Sequence, residues 1–204
     1  LIEGWHIFIS TVAISLYTTS RIFFVGVFTN DEITGKYAIA ERLMGIVQTF
    51  PLAAILQAIY PWLSNMFKQS KKNAYMIMQK LQKITIFSYL LIVLICYILS
   101  DKIILLITGH PYEETITAFR ILLLAVFFIN ANAFRVQFLL ISGYDQIFSR
   151  IHIFMGVLGL FCLIIGLILW SYIGAAFSIV ITEFFIFLIT LISLKTLSRR
   201  NLWV

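Results

Sequence analysis

Six long apolar stretches set the tightest limit on what this chain can fold into. They cover residues 5–29, 36–66, 81–100, 115–142, 150–170 and 172–197. Each can cross a hydrocarbon layer of ~30 Å, which takes about 20 helical residues. None shows the period-two alternation of membrane strands. The sequence therefore predicts an all-α fold, a polytopic membrane bundle whose six transmembrane helices form a single lobe over residues 1–204.

Composition and charge agree with a chain surrounded by lipid. Hydrophobic residues make up 61% of the chain and charged residues 12%, with a mean hydropathy of +1.00, whereas soluble domains are about 45–50% apolar and about 25% charged. The net charge of +6 falls mostly between the spans, where basic residues set topology. Cys96 and Cys162 are mid-span, and His6, His110 and His152 are isolated. We therefore expect no nucleic-acid partner, no metal, no cofactor and no enzymatic activity.

Breaks between the spans indicate where the chain turns. The run 68–83 is rich in lysine and predicts a loop, and a tight turn is expected near 171–174. The second stretch is too long for one straight crossing. It contains Pro51, with Pro61 near its end. Because proline removes a backbone hydrogen bond and clashes with the preceding turn, we expect a kink near Pro51.

The distribution of basic residues predicts the orientation. Alternate loops carry nearly all of the lysines and arginines outside the spans, which places both ends of this segment in the cytoplasm. The residues assigned to the inside are Lys68, Lys71, Lys72, Lys80, Lys83, Arg150, Lys195, Arg199 and Arg200. Only Lys36 and Lys102 then lie in the outer loops.

Charged residues inside the predicted spans are the candidate functional groups. They are Arg21, Arg42, Arg120, Arg135, Glu41 and Glu183. Each costs ~2.5–3.5 kcal/mol at a helix centre, so they should face protein or water. Helical angles predict that the four arginines line a shared polar cavity, and their excess over carboxylates favours an anionic ligand, since guanidinium matches phosphate. The alternative is internal pairing, for example Glu41 with Arg42 or Glu183 with Arg135.

Short motifs along the chain resemble those of a known family. They are ISLYT at 14–18, GKYAIAER at 35–42, YPWLS at 60–64, ITGHPY at 107–112, FRIL at 119–122, IGAA at 173–176 and ITE at 181–183. Their order and spacing are similar to the second half of bacterial polysaccharide flippases, the O-antigen and repeat-unit transporters of the multidrug/oligosaccharidyl-lipid/polysaccharide exporter superfamily. Arg21 departs from the pattern, since many members carry a neutral or acidic residue there.

The resemblance implies a transporter rather than an enzyme. The chain would be one lobe of a two-lobe, twelve-helix protein that turns undecaprenyl-pyrophosphate-linked oligosaccharide across the bacterial inner membrane. Its partners would be that lipid-linked substrate, membrane lipids, the N-terminal six-helix lobe of the same protein and the polysaccharide polymerase machinery. Substrate would be bound by Arg21, Arg42, Arg120 and Arg135.

Two other functions remain open. A cation-coupled multidrug or metabolite antiporter of the same superfamily needs a coupling carboxylate, and Glu183 and Glu41 could be coupling or structural groups. A membrane-embedded polysaccharide polymerase is the other alternative. Such an enzyme would need a larger outer loop than 101–114.

Overall fold

The described part of the chain is an all-α bundle, as predicted. The computed structural model describes residues 19–50 and 52–199, together with the isolated residues 12 and 15, and all regular structure in these ranges is helical. The helices are α1 (Thr19–Phe28), α2 (Asp31–Thr49), α3 (Leu52–Gln69), α4 (Lys71–Ile98), α5 (Ser100–Thr108), α6 (Glu113–Asn130), α7 (Ala133–Ile141) and α8 (Asp145–Arg199).

Four helical stretches are long and apolar enough to cross a membrane. They are Asp31–Gln69, Lys71–Ile98, Glu113–Ile141 and Asp145–Ser198. Large apolar side chains such as Phe87, Leu94 and Phe154 point outward from them, as lipid-facing positions require. The six-span count itself stays a prediction, because most of the first predicted span lies outside the described residues.

Helix α8 is a hairpin of two arms, 145–169 and 172–199. Trp170 and Ser171 have non-helical backbone angles, and Ser171 has φ of 52°. A Cβ placed on Gly166 would lie 2.6 Å from the carbonyl oxygen of Gly174. The two arms are therefore antiparallel and touch backbone to backbone, which only glycine permits. The turn expected at 171–174 thus begins one residue earlier, and Gly174 serves packing instead.

A break separates α2 from α3, where the kink was predicted. Phe50 adopts extended angles, φ −95° and ψ 131°, as a residue that precedes a proline tends to do. Pro51 itself lies outside the described residues. The hydroxyl of Tyr89 on α4 donates to the carbonyl of Gln48 at 3.3 Å, so α4 supplies a hydrogen bond next to the break.

A second break, between α6 and α7, was not predicted. The chain turns at Ala131 and Asn132, within the stretch 115–142 that hydropathy indicated as one span. The buried amide of Gln82 on α4 fills the gap. Its Nε2 donates to the Ala131 carbonyl at 2.6 Å, and its Oε1 accepts from the backbone N–H of Arg135 at 3.2 Å. A side chain from another helix therefore replaces the missing bond of the ladder.

Helix α4 begins at Lys71, about three turns before the predicted end of the loop 68–83, so that loop prediction is wrong. Ser70 caps the helix by accepting from the backbone N–H of Asn73 at 3.3 Å. Ala74 and Met78 are buried against the bundle. The lysines of this segment lie on the exposed face of an amphipathic helix. The loop was predicted because a cluster of charges is typical of both structures.

Helix α6 occupies the centre of the bundle. It packs against α2, α4, α5 and α8, and its side chains Phe119, Leu122, Leu123 and Val126 are almost completely buried. One end of α6 is tied to α2 by Lys36, whose Nζ lies 2.7 Å from Glu32 and 2.9 Å from Glu114. These contacts hold the two helices that lead into the breaks side by side.

Candidate functional site: a polar cavity at the two helix breaks

A cavity of about 650 Å³ opens where the two breaks meet. Its walls come from α1, from both sides of each break and from both arms of α8. The polar residues that line it are Arg21, Gln48, Thr49, Asn130, Asn132, Gln137, His152 and Glu183. The remaining lining is apolar, so the cavity is a polar site inside a hydrophobic bundle, which is the usual character of a ligand site.

The amide side chains of the cavity explain how the broken helices are held. Gln137 on α7 donates its Nε2 to the Leu56 carbonyl on α3 at 3.1 Å, which links the two segments that follow the breaks. Asn130 donates to the Val126 carbonyl at 2.9 Å. Within the described ranges, Asn132 Oδ1 and Gln137 Oε1 are buried and accept no hydrogen bond. Because buried acceptors normally have a partner, these two oxygens are available to a ligand that donates.

Arg21 is the cation of this cavity, and it is paired. Its Nε donates to Glu41 Oε1 at 2.6 Å, and its Nη2 contacts the same oxygen. Arg21 is only 5% exposed. In the part of the chain that is described, its Nη1 and Glu41 Oε2 have no hydrogen-bond partner. Glu41 therefore pairs with Arg21 rather than with the adjacent Arg42, and one guanidinium nitrogen remains for a ligand.

The other three candidate arginines lie elsewhere in the bundle. Arg42 is exposed on α2. Arg120 donates to Ser100 Oγ at 2.7 Å and to Asp101 Oδ2 at 2.8 Å, and so joins α6 to α5. Arg135 lines a different, smaller pocket. Of the four, the described structure brings only Arg21 to the cavity.

The break at Ala131 and Asn132 explains this separation. The prediction from helical angles treated the stretch that carries Arg120 and Arg135 as one unbroken helix. The turn between α6 and α7 interrupts the 100° step per residue, so Asn132 faces the cavity while Arg135 does not. A helical wheel is valid only as far as the helix is unbroken.

Glu183 and His152 complete the site from α8. Both are 8% exposed and line the cavity. His152 contacts the Phe148 carbonyl through Nδ1 at 2.8 Å. Sequence analysis treated His152 as an isolated residue and missed Gln48, Asn130 and Gln137. The three missed residues are amides near helix breaks. Such amides indicate a break, because the freed backbone groups need polar partners.

Comparison with known proteins shows similarity to polysaccharide biosynthesis proteins. The model of the family described as "Polysaccharide biosynthesis protein" matches residues 1–67. A "Putative O-antigen transporter" of Escherichia coli (strain K12) is 30% identical over 187 residues, which cover 90% of this chain and 44% of that relative. The chain thus spans less than half the length of the curated relative it matches. No solved structure matches it. The chain is thus an all-α membrane bundle that is similar to polysaccharide biosynthesis proteins over residues 1–67 and to a protein named as an O-antigen transporter over most of its length.

Proposed function

We propose that the protein flips undecaprenyl-pyrophosphate-linked oligosaccharide repeat units across the bacterial inner membrane, for O-antigen or other surface polysaccharide synthesis. The observation that carries this proposal is the cavity itself, with its buried amide oxygens and its guanidinium inside an apolar bundle. A similar protein bears the name of an O-antigen transporter, which supports the same substrate class.

The chemistry of the lining suits a glycosylated anion. Asn132 Oδ1 and Gln137 Oε1 can accept from sugar hydroxyls, and Arg21 Nη1 can donate to a phosphate or an acidic sugar. Glu41 offsets much of the Arg21 charge. The ligand is then attracted without being held so tightly that its release would stall.

The second wall of the transport route would come from the N-terminal six-helix lobe of the same protein. Alternating access would rock the two lobes about the cavity between them. Arg42, which is exposed on α2, would meet substrate only if that lobe covers it. The lysine-rich start of α4 favours a cytoplasmic position for that end of the bundle and for both ends of this segment. The repeat unit would then be delivered to a polymerase on the outer side of the membrane.

Export in a strain that lacks its own flippase tests the proposal. The full natural chain should restore surface polysaccharide, and Asn132→Ala should lower it several-fold at equal protein level, because a cavity acceptor is lost. No described hydrogen bond depends on the Asn132 side chain, so the fold should survive. Asn65→Ala, at an exposed position of α3, is the matched control. Unchanged export by the Asn132 variant would contradict the proposal.

A test of Arg21 requires a change of its ion-pair partner Glu41 in the same variant. Arg21→Gln alone would leave the Glu41 carboxylate buried without its partner, which costs several kcal/mol and could unfold the bundle. The double variant Arg21→Gln with Glu41→Gln removes both charges together. We expect it to insert normally and to export less polysaccharide, measured by surface staining relative to the amount of the protein in the membrane.

A cation-coupled antiporter is the second candidate, and Glu183 favours it. This carboxyl is 8% exposed and faces the cavity near the middle of the second arm of α8. An antiporter requires such a group to exchange a cation for substrate. Glu183→Gln should then abolish export driven by an imposed ion gradient in proteoliposomes. Export that is independent of ion gradients and unaffected by Glu183→Gln would exclude this function.

A further inference from the structure

A second pocket of about 230 Å³ lies between α4, α7 and the second arm of α8. Three basic residues line it, Lys83, Arg135 and Lys195, and no carboxylate does. It shares no lining residue with the cavity at the helix breaks. The pocket lies at the same end of the bundle as the lysine-rich start of α4.

Arg135 is held in place by the structure around it. Its guanidinium stacks on the Phe187 ring, 4.7 Å from the ring centroid. One nitrogen, Nη1, donates to the Ala131 carbonyl at 3.1 Å, and the backbone N–H is fixed by Gln82. Among the described residues, no carboxylate forms an ion pair with Arg135, Lys83 or Lys195. The other guanidinium donors therefore remain for an anion.

The remaining lining of the pocket indicates the kind of anion. Met78, Ile86, Leu191 and Leu194 supply apolar walls, while Lys83 and Lys195 are exposed at the edge of the bundle. Apolar walls beside converging cations fit an amphiphile whose charged head is a phosphate. Arginine supplies a planar fork for phosphate oxygens, and the two lysines add point charges that can adjust to it.

We propose that this pocket binds the phosphate group of a membrane lipid. The shared chemistry is a lipid-borne phosphate, which comes from either the diester of an anionic phospholipid or the pyrophosphate of a polyprenyl lipid. The site stands on the pocket alone and does not require that the protein flips anything.

Lipid binding to the full natural chain in detergent tests the proposal, read by native mass spectrometry. The probes are phosphatidylglycerol, undecaprenyl pyrophosphate and diacylglycerol, which lacks phosphate. The double variant Lys83→Gln with Lys195→Gln should weaken binding of at least one phosphate lipid about tenfold, since a lost charge-assisted hydrogen bond is worth about one decade. No described contact depends on these two lysines, so the bundle should stay folded. Lys80→Gln, one turn earlier on α4 and outside the lining, is the matched control.

The outcomes separate the two phosphate sources. Equal losses for both phosphate lipids identify a general lipid-phosphate site, and a loss confined to undecaprenyl pyrophosphate identifies the polyprenyl lipid as the occupant. Arg135→Lys should weaken binding less than Arg135→Gln, because it keeps the charge but loses the fork. Binding that is the same in wild type and in the double lysine variant, or that falls equally with Lys80→Gln, overturns the proposal. Polysaccharide export measured on the Asn132 variant reports on the flippase function separately.

Discussion

The hairpin of α8 and the broken helices around the cavity come from similar apolar stretches but hold together in different ways. In the hairpin, Gly166 and Gly174 let two helices touch backbone to backbone. At the breaks, side chains such as Gln82 and Gln137 donate to backbone carbonyls of neighbouring helices. Hydropathy alone does not distinguish these regions, because both are strongly apolar.

The difference follows from the backbone. An intact helix satisfies its own N–H and C=O groups, so two of them can pack with small residues and no polar contact. A broken helix leaves groups that lipid cannot satisfy. Polar side chains must then gather at the break, and the same side chains make a polar cavity. The hairpin is therefore held by close backbone packing, whereas the breaks are held by polar side chains, several of which also line the cavity.

Gly174→Ala should disrupt the hairpin more than any other change considered. The new Cβ would overlap the backbone carbonyl of Gly166, and a backbone cannot rotate aside. We expect a loss of about 3 kcal/mol or more, at the upper end of overpacking effects, seen as aggregation in size-exclusion chromatography after mild heating.

Gly45→Ala is the control for that change. A Cβ at Gly45 meets nothing within 4 Å, so the variant should be as stable as wild type or slightly more so. If both variants behave alike, close contact between the two arms is not what holds the hairpin.

Gln82→Leu should weaken the α6–α7 break by about 2 kcal/mol, since it leaves a buried N–H and removes a donor from a buried carbonyl. Thermal unfolding in detergent measures the loss. Gln79→Leu, at an exposed position of the same helix, should have little effect. Equal melting temperatures for both variants would show that the break does not depend on the Gln82 amide.

Ser171→Gly should raise stability by about 1 kcal/mol, because Ser171 has φ of 52° and a left-handed backbone costs about this much for a residue with a Cβ. Ser171→Ala keeps the Cβ and should bring no gain. The comparison is a shift in melting temperature between the two variants. A gain from alanine as large as that from glycine would mean that backbone strain at the turn is not the cause.

Tyr89→Phe should have the smallest effect, a loss of about 0.6 kcal/mol, the average for hydrogen bonds between helices in membranes. The hydroxyl donates to the Gln48 carbonyl at 3.3 Å, a long bond beside the first break. Tyr60→Phe, at an exposed position of α3, is the control, because it also removes a tyrosine hydroxyl. A loss as large as that of Gln82→Leu would show that the two breaks are held equally strongly.

The sequence predicted the helical bundle and the first break well, since long apolar runs and proline act locally. It also predicted the turn before the second arm of α8 to within one residue. It failed at Ala131 and Asn132, which carry no proline or glycine. That break depends on Gln82, 49 residues away along the chain from Ala131, and such a contact has no local signal.

The candidate site was predicted less completely for the same reason. Placing Arg21 inside the bundle followed from its position in an apolar run, but its pairing with Glu41 depends on how α1 and α2 pack. Arg120 and Arg135 were assigned to one face by assuming a straight helix. The shared role of the four arginines in binding substrate stays a prediction.

The short turn of α8 also has a consequence for how the chain is made. Only Trp170 and Ser171 separate the two arms, so the hairpin can enter the bilayer as a single unit. Glu183 then enters beside the apolar first arm, and the insertion penalty of ~2.5–3.5 kcal/mol for a mid-helix charge is shared across both arms. Membrane integration of Glu183 during synthesis thus depends on residues that precede it in the chain.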